Sequence, residues 1–298
     1  MAKKAILIIF TLIFSTNAIS SEIVASIKPL HSLVSSVTQG SDSVSLLIKG
    51  SMSPHNFSLK PSHAKLLNNA KIVFYIDNQL ESALKKTVIG LPTRVRVVKV
   101  SSIKQLKLLP TRAGDNWEED GHDHHHHDHG SNDLHFWLEP NNAIQIVKGI
   151  VRELSIVYPD NINLYKKNAK KIIKEIKSAD LSIKSILEPV KNKPFIVFHD
   201  AYQYFEERFN VTVLGAFTVN TDVMPGAEQL SEIREIIEHD KVSCIFSEPQ
   251  FNPDIINAVA KDMNISTGVL DPLGATLEPG KGLYFDLIRN MSKSFKGC

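Results

Sequence analysis

Cysteine is scarce in this 298-residue chain: there are two, Cys244 and Cys298. So few thiols exclude a disulfide-dense scaffold, and in an oxidising space an even pair reads as one bridge. A Cys-ligated metal site is the competing use, but it needs two free thiolates in that space. Long hydrophobic runs are missing too. Lys3 and Lys4 precede an apolar stretch from Ala5 to Phe14, then Ala18-Ile19-Ser20. That stretch falls short of the roughly 20 residues that span a bilayer. A basic start, a short apolar run and small residues instead form an export signal, residues 1–20, cleaved near Ser20. No cysteine near that point can carry a lipid anchor, so a soluble exported protein is expected. Charge of one sign is lacking as well. Without Lys3 and Lys4 the 34 basic residues fall to 32, matching 32 acidic ones. Net neutrality gives no basic excess to argue for nucleic acid or an anionic membrane.

What is abundant is histidine, and it is clustered. Six of the twelve histidines, His122, His124, His125, His126, His127 and His129, lie between Asp120 and Gly130. A packed core does not accept such a run, so the segment 114–133 is expected as a solvated loop. Interleaved imidazoles and carboxylates form a loose, low-affinity accessory set for borderline divalent metals such as zinc, nickel and copper. A merely solvated linker is the bland alternative. An expression tag would sit at a terminus, and this run is internal.

Short β-branched runs alternate with helical patterns along the whole chain. Strands are expected at Ile23–Ile27, Val44–Ile48, Ile72–Ile76 and Val95–Val100, then at Phe195–Phe198, Val211–Leu214, Cys244–Ser247 and Ile265–Leu270. Helices are expected at Ser62–Asn69, Asn78–Val88, Gly226–His239 and Asp254–Asp262. This alternation predicts α/β architecture: two lobes, each a mostly parallel sheet flanked by helices. From Asn161 to about Leu187 there is no Gly or Pro, and apolar residues recur at helical spacing. One helix of roughly 40 Å is predicted there, a stiff connector that limits lobe movement. The expected parts are an N-terminal lobe, 21–158, a linking helix, 159–190, and a C-terminal lobe, 191–298.

Three histidines stand apart from the cluster in special settings. His55 follows a strand and a Gly-Ser turn, in Ser53-Pro54-His55. His135 opens the apolar segment His135-Phe136-Trp137-Leu138-Glu139-Pro140, and His199 closes the strand Pro194–Phe198. Asp271 also follows a strand, before Pro272-Leu273-Gly274. In open α/β sheets ligands bind beyond the carboxyl ends of strands. Three imidazoles and a carboxylate make a suitable zinc sphere. Spacing alone leaves each of them equally able to be a hydrogen-bonded structural residue. His63 and His239 fit helix surfaces, and His31 lies near the end of the first strand.

Seven segments in order carry a resemblance. They are Ala25-Ser26-Ile27-Lys28-Pro29-Leu30, Ser53-Pro54-His55 with Pro61-Ser62, His135-x-Trp137-Leu138-x-Pro140, Phe198-His199-Asp200-Ala201-Tyr202, Phe217-Thr218-Val219-Asn220, Glu248-Pro249-Gln250-Phe251 and Leu270-Asp271-Pro272-Leu273-Gly274. Together they resemble the ZnuA-type zinc-binding proteins of bacterial ABC importers, within the metal-binding class of periplasmic solute-binding proteins. The resemblance covers essentially the whole mature chain. It implies His55, His135 and His199 as metal ligands, and Asp271 as the carboxylate at the same cleft, bound directly or through a water. Glu248 is expected in a supporting place. It further implies Zn²⁺ as transported cargo, two lobes joined by a long helix, and the Cys244–Cys298 disulfide. The expected partner is an ABC permease with its cytoplasmic ATPase, with no nucleic acid and no stable membrane insertion; a monomer is expected. Manganese-carrying relatives tend to place a carboxylate where His199 stands, and imidazole suits the borderline metal better. A secreted zinc hydrolase would share a three-histidine sphere, but the chain has no H-E-x-x-H and no convincing base–nucleophile pair. A surface adhesin is disfavoured by the missing lipid-attachment cysteine.

Overall fold

The computed structural model describes residues 22–112, 131–218, 221 and 224–298. The expected export signal and accessory histidines, with Val219 and Asn220, lie outside the described residues. Among the described residues eight strands form two sheets, all of them parallel. The first contains β1 (Ile23–Ala25), β2 (Val44–Leu46), β3 (Ile72–Tyr75) and β4 (Arg96–Lys99), in the order β2-β1-β3-β4. The second repeats this scheme with β5 (Pro194–His199), β6 (Thr212–Thr218), β7 (Cys244–Ser247) and β8 (Ser266–Val269), in the order β6-β5-β7-β8. Continuous apolar runs such as Ile72-Val73-Phe74-Tyr75 are buried throughout, as a parallel sheet covered on both faces requires.

Helices supply the cover. They are α1 (Lys28–Val37), α2 (Pro61–Asn69), α3 (Lys85–Ile89), α4 (Pro140–Val157), α5 (Ile162–Leu187), α6 (Gln203–Phe209), α7 (Ala227–His239), α8 (Asp254–Met263) and α9 (Leu283–Gly297). α4 begins cleanly because Pro140 occupies its first turn and the Glu139 carboxylate accepts the Asn142 N–H at 2.7 Å. The long helix α5 runs 26 residues, close to the predicted span, and buries Tyr165, Ala169, Ile172, Ile176 and Ile183 along one stripe.

The pattern over Asn78–Val88 does not become one helix. The Glu81 carboxylate turns back to accept the Ile76 and Asp77 N–H groups at 2.7 and 3.1 Å. A 3₁₀ turn at Ser82–Leu84 and the short α3 follow instead. Four helices are additions to the sequence reading: α1, α4, α6 and α9.

The two sheets share a main core, and the second sheet has a smaller separate cluster with α7 and α8. A single apolar cluster joins Ile23, Phe74 and Trp137 of the first half to Phe195, Phe246 and Phe295 of the second. Polar ties cross as well. The buried Lys28 ammonium on α1 donates to three carbonyls of the loop after β8: Gly274 (3.0 Å), Ala275 (2.5 Å) and Leu277 (2.9 Å). Cys244 and Cys298 are bonded, with Cα atoms 5.6 Å apart, pinning the end of α9 to β7.

Candidate metal centre

Two loops and one strand end each deliver one imidazole to the junction between the sheets. After β2 the chain turns at Gly50, whose φ of 69° suits a residue without a Cβ. Five residues on, the Ser53 hydroxyl accepts the His55 N–H at 3.3 Å and fixes that loop. His135 precedes a 3₁₀ turn whose Phe136, Trp137 and Leu138 are all buried anchors. The Trp137 indole N–H donates across the junction to the Pro272 carbonyl at 2.9 Å, and the Tyr284 hydroxyl donates to the Trp137 carbonyl at 3.1 Å. His199 is the last residue of β5, and Glu248 directly follows β7. These strands are neighbours where the order of the second sheet reverses, the crevice that open α/β sheets offer to ligands.

The three rings lie with centroids 5.2, 5.5 and 5.7 Å apart, His199 edge-on to both others and His55 tilted against His135. One ligand atom from each of His55, His135 and His199 lies within 4.8 Å of the other two. Hydrogen bonds fix the tautomers. His199 Nδ1–H donates to Glu248 Oε1 at 2.6 Å, and His135 Nδ1–H donates to Asp133 Oδ1 at 2.8 Å. In the neutral rings both Nε2 atoms therefore carry bare lone pairs, and they face each other at 3.4 Å. Two nitrogens at about 2.05 Å from a tetrahedral zinc ion sit about 3.3 Å apart. His55 Nε2 is buried and has no hydrogen-bond partner. Left without a cation, such a group carries a desolvation cost. The donor set and its spacing fit a borderline metal ion.

Electrostatics differ around the three imidazoles. Burial, followed by the neighbouring His135 and His199, holds His55 well below the usual imidazole range. Burial also pulls on His199, but the Glu248 carboxylate beside it, with Asp200 and Asp133 farther out, outweighs that and raises it. Burial and then Glu248 hold the Tyr202 phenol well above its usual range, so it stays protonated. The cavity between the imidazoles encloses about 10 Å³ and is walled by Pro54, Trp137, Phe251, Pro272 and Leu273. That is room for about one water-sized sphere.

The three histidines expected from sequence thus come together, while the Asp271 carboxylate stays outside their group of mutually close donors. Its Oδ1 instead accepts from the Gln250 side-chain N–H at 2.9 Å and the Leu273 N–H at 3.2 Å. His31 is buried on α1, its Nε2 3.0 Å from the Val44 carbonyl, and His63 caps α2 by accepting the Lys60 N–H at 3.1 Å. Two supporting groups escaped the sequence reading. Asp133 holds His135 by both its backbone and ring N–H, and its signal was the Asp-Leu-His spacing itself. Arg112 forms a fork with Asp200 (2.5 and 3.0 Å) and Glu206 (2.7 and 3.1 Å), bracing the residue next to His199. Nothing local in the sequence pairs residues 88 positions apart.

Two parallel α/β sheets joined by one long helix, with three imidazoles closed around a single-ion cavity, define a two-lobed protein whose cleft can hold a metal. The profile of the family described as "ZnuA: Zinc-uptake complex component A periplasmic" matches residues 23–298. The chain is 39% identical to the high-affinity zinc uptake system protein ZnuA of Brucella abortus, covering 93% of this chain and 91% of that protein. It is 34% identical to the protein of the same name from Yersinia pestis, covering 95% and 92%. A solved structure of ZnuA superposes with a TM-score of 0.79 at 21% identity, covering 92% of this chain and 97% of that one. A laminin-binding adhesin of Streptococcus agalactiae shares the fold, with a TM-score of 0.77 at 22% identity and coverage of 93% and 98%. The chain belongs to the ZnuA family.

Proposed function

We propose that this protein captures Zn²⁺ outside the cytoplasm and delivers it to the membrane permease of an ABC importer. The observation that carries this reading is the convergence of three otherwise unengaged imidazole Nε2 atoms on one small, dry cavity. His55, His135 and His199 bind the ion. Glu248 and Asp133 orient their rings, and Asp271 holds the cavity wall through Gln250 and Leu273. An all-imidazole donor set favours zinc over manganese, which prefers carboxylate oxygen. The curated relatives of this chain carry zinc-uptake names. No described helix is long and apolar enough to cross a membrane.

On this reading residues 1–20 are an export signal. Residues 21–158 form the N-terminal lobe, 159–190 the linking helix and 191–298 the C-terminal lobe of a monomer. The protein binds and releases rather than catalyses. His122, His124, His125, His126, His127 and His129 form a separate low-affinity reservoir. The permease and its ATPase are the partners that empty the tight site.

Metal content and competition titration, run side by side on the full protein and a variant lacking residues 115–129, test the proposal. One tight zinc equivalent should persist in both, and manganese should fail to displace it. Loss of tight binding with the deletion, or displacement by manganese, would overturn the site or the metal. Ester or peptide hydrolysis by the zinc-loaded protein that disappears with His199→Ala would instead revive an enzymatic role.

A further inference from the structure

Overall neutrality conceals a segregated charge. Six of the 32 carboxylates, Asp115, Glu118, Glu119, Asp120, Asp123 and Asp128, fall in residues 115–129 with the clustered histidines, and no Lys or Arg accompanies them there. Beyond the first 21 residues, the rest of the chain holds 32 basic groups against 26 acidic ones. Much of that excess sits on α5, which carries seven lysines and two carboxylates. At about 100° per residue, Lys166, Lys170, Lys174, Lys177 and Lys184 fall within an arc of about 80°. Lys167 and Lys171 flank them, and all seven are exposed.

Little neutralises this stripe. Asp180, buried at the edge of the lysine arc, is already engaged by the fork of Arg208, so its 3.9 Å approach to Lys184 leaves the local balance positive. Glu175 lies 3.9 Å from Lys171. Among the described residues Lys166, Lys170, Lys174 and Lys177 make no ion pair. One residue in the stripe is not charged at all: Leu181, with 68% of its surface exposed, projects from the middle of the arc. From Lys166 to Lys184 the stripe is a nearly straight line of about 27 Å.

We infer that the exposed face of α5 is a docking surface for an anionic phospholipid bilayer. A straight row of lysines matches a plane of phosphate headgroups, since each cation gains from the negative surface potential without leaving water. The aliphatic Leu181 favours a lipid surface over a soluble polyanion, because it can enter the headgroup layer beside lysine stems that already snorkel. The contact is peripheral. It keeps the cargo-loaded protein diffusing in two dimensions on the surface in which a permease sits. Because α5 lines no part of the histidine cavity, docking there leaves the metal ligands untouched. The biological setting rests on the exported, permease-linked role above; the surface itself does not.

Sedimentation of the full mature protein, loaded with one zinc equivalent, with lipid vesicles tests the surface. Vesicles of about 40% phosphatidylglycerol in phosphatidylcholine should capture it, pure phosphatidylcholine should not, and raising salt from about 50 to 150 mM should weaken capture. Lys166→Glu, Lys170→Glu, Lys174→Glu and Lys177→Glu combined should lower partitioning at least about tenfold. Leu181→Ser should lower it by a smaller factor of about two to five. Zinc stoichiometry, measured on the same samples, should stay unchanged in both variants, and its loss in wild type would count against the transport role alone. Equal capture of the quadruple variant, equal capture by neutral vesicles, or capture by soluble polyphosphate without vesicle binding would each overturn the inference.

Discussion

The two sides of the histidine cavity are built differently. On the side of the first sheet His55 has no carboxylate partner, and burial among like groups keeps it neutral. On the side of the second sheet His199 leans on Glu248 at 2.6 Å and is drawn toward the protonated form. One imidazole is thus always ready, while another must lose a proton before it can bind a cation. The carboxylate that orients His199 also strengthens its competition with metal. Affinity at neutral pH and retention in acid are therefore set by opposite consequences of the same residue.

The largest effect should come from removing the second-sheet imidazole itself, as the proposed ligand. His199→Ala, in a variant lacking residues 115–129, should weaken zinc by more than the roughly 100-fold at which loss of an outer partner tops out. Competition titration reads this directly, and near-wild-type affinity would break the assignment. Next, Glu248→Gln should cost about 10- to 100-fold at pH 8, because His199 loses its orienting acceptor. The same variant should hold zinc to lower pH relative to its own maximum, since the charge that raised His199 is gone. In the unaltered protein, affinity should fall about tenfold for each pH unit below the raised His199 value, as one proton competes with the metal. Affinity should stay flat where His199 is already neutral, because His55 titrates well below it. Smallest of all, Asp271→Asn should change zinc affinity by no more than about threefold, because its Oδ1 serves Gln250 and Leu273. A large loss would place that carboxylate on the ion.

Much of the fold was legible because parallel strands announce themselves as short β-branched runs, and all eight fell where such runs stand. α5 was legible because it is long, interrupted by neither Gly nor Pro, and amphipathic. α1 was not: its residues Lys28–Val37 are buried nearly all round, Lys28, Ser32 and Ser36 included, so no polar face marks a period. The helix over Asn78–Val88 failed for the opposite reason, since Glu81 spends its carboxylate on backbone N–H groups and breaks the pattern. In the site, the histidines were legible as isolated residues at strand ends. The order among their partners was not, because Glu248, Arg112 and Lys28 reach groups 49, 88 and about 246 positions away.

The apolar cluster shared by the two sheets has a thermodynamic consequence. Neither half can lose this cluster while the other keeps it, because Phe195 and Trp137 belong to the same packed interior, although the second sheet also has a smaller separate cluster with α7 and α8. The molecule should then lose its structure in one cooperative transition, with calorimetric and van't Hoff enthalpies in agreement. A zinc ion held at a hundred times its dissociation constant would raise the stability of both halves together by about 2.7 kcal/mol. Loading at a cavity the size of one water molecule would thus be felt at the far end of every helix.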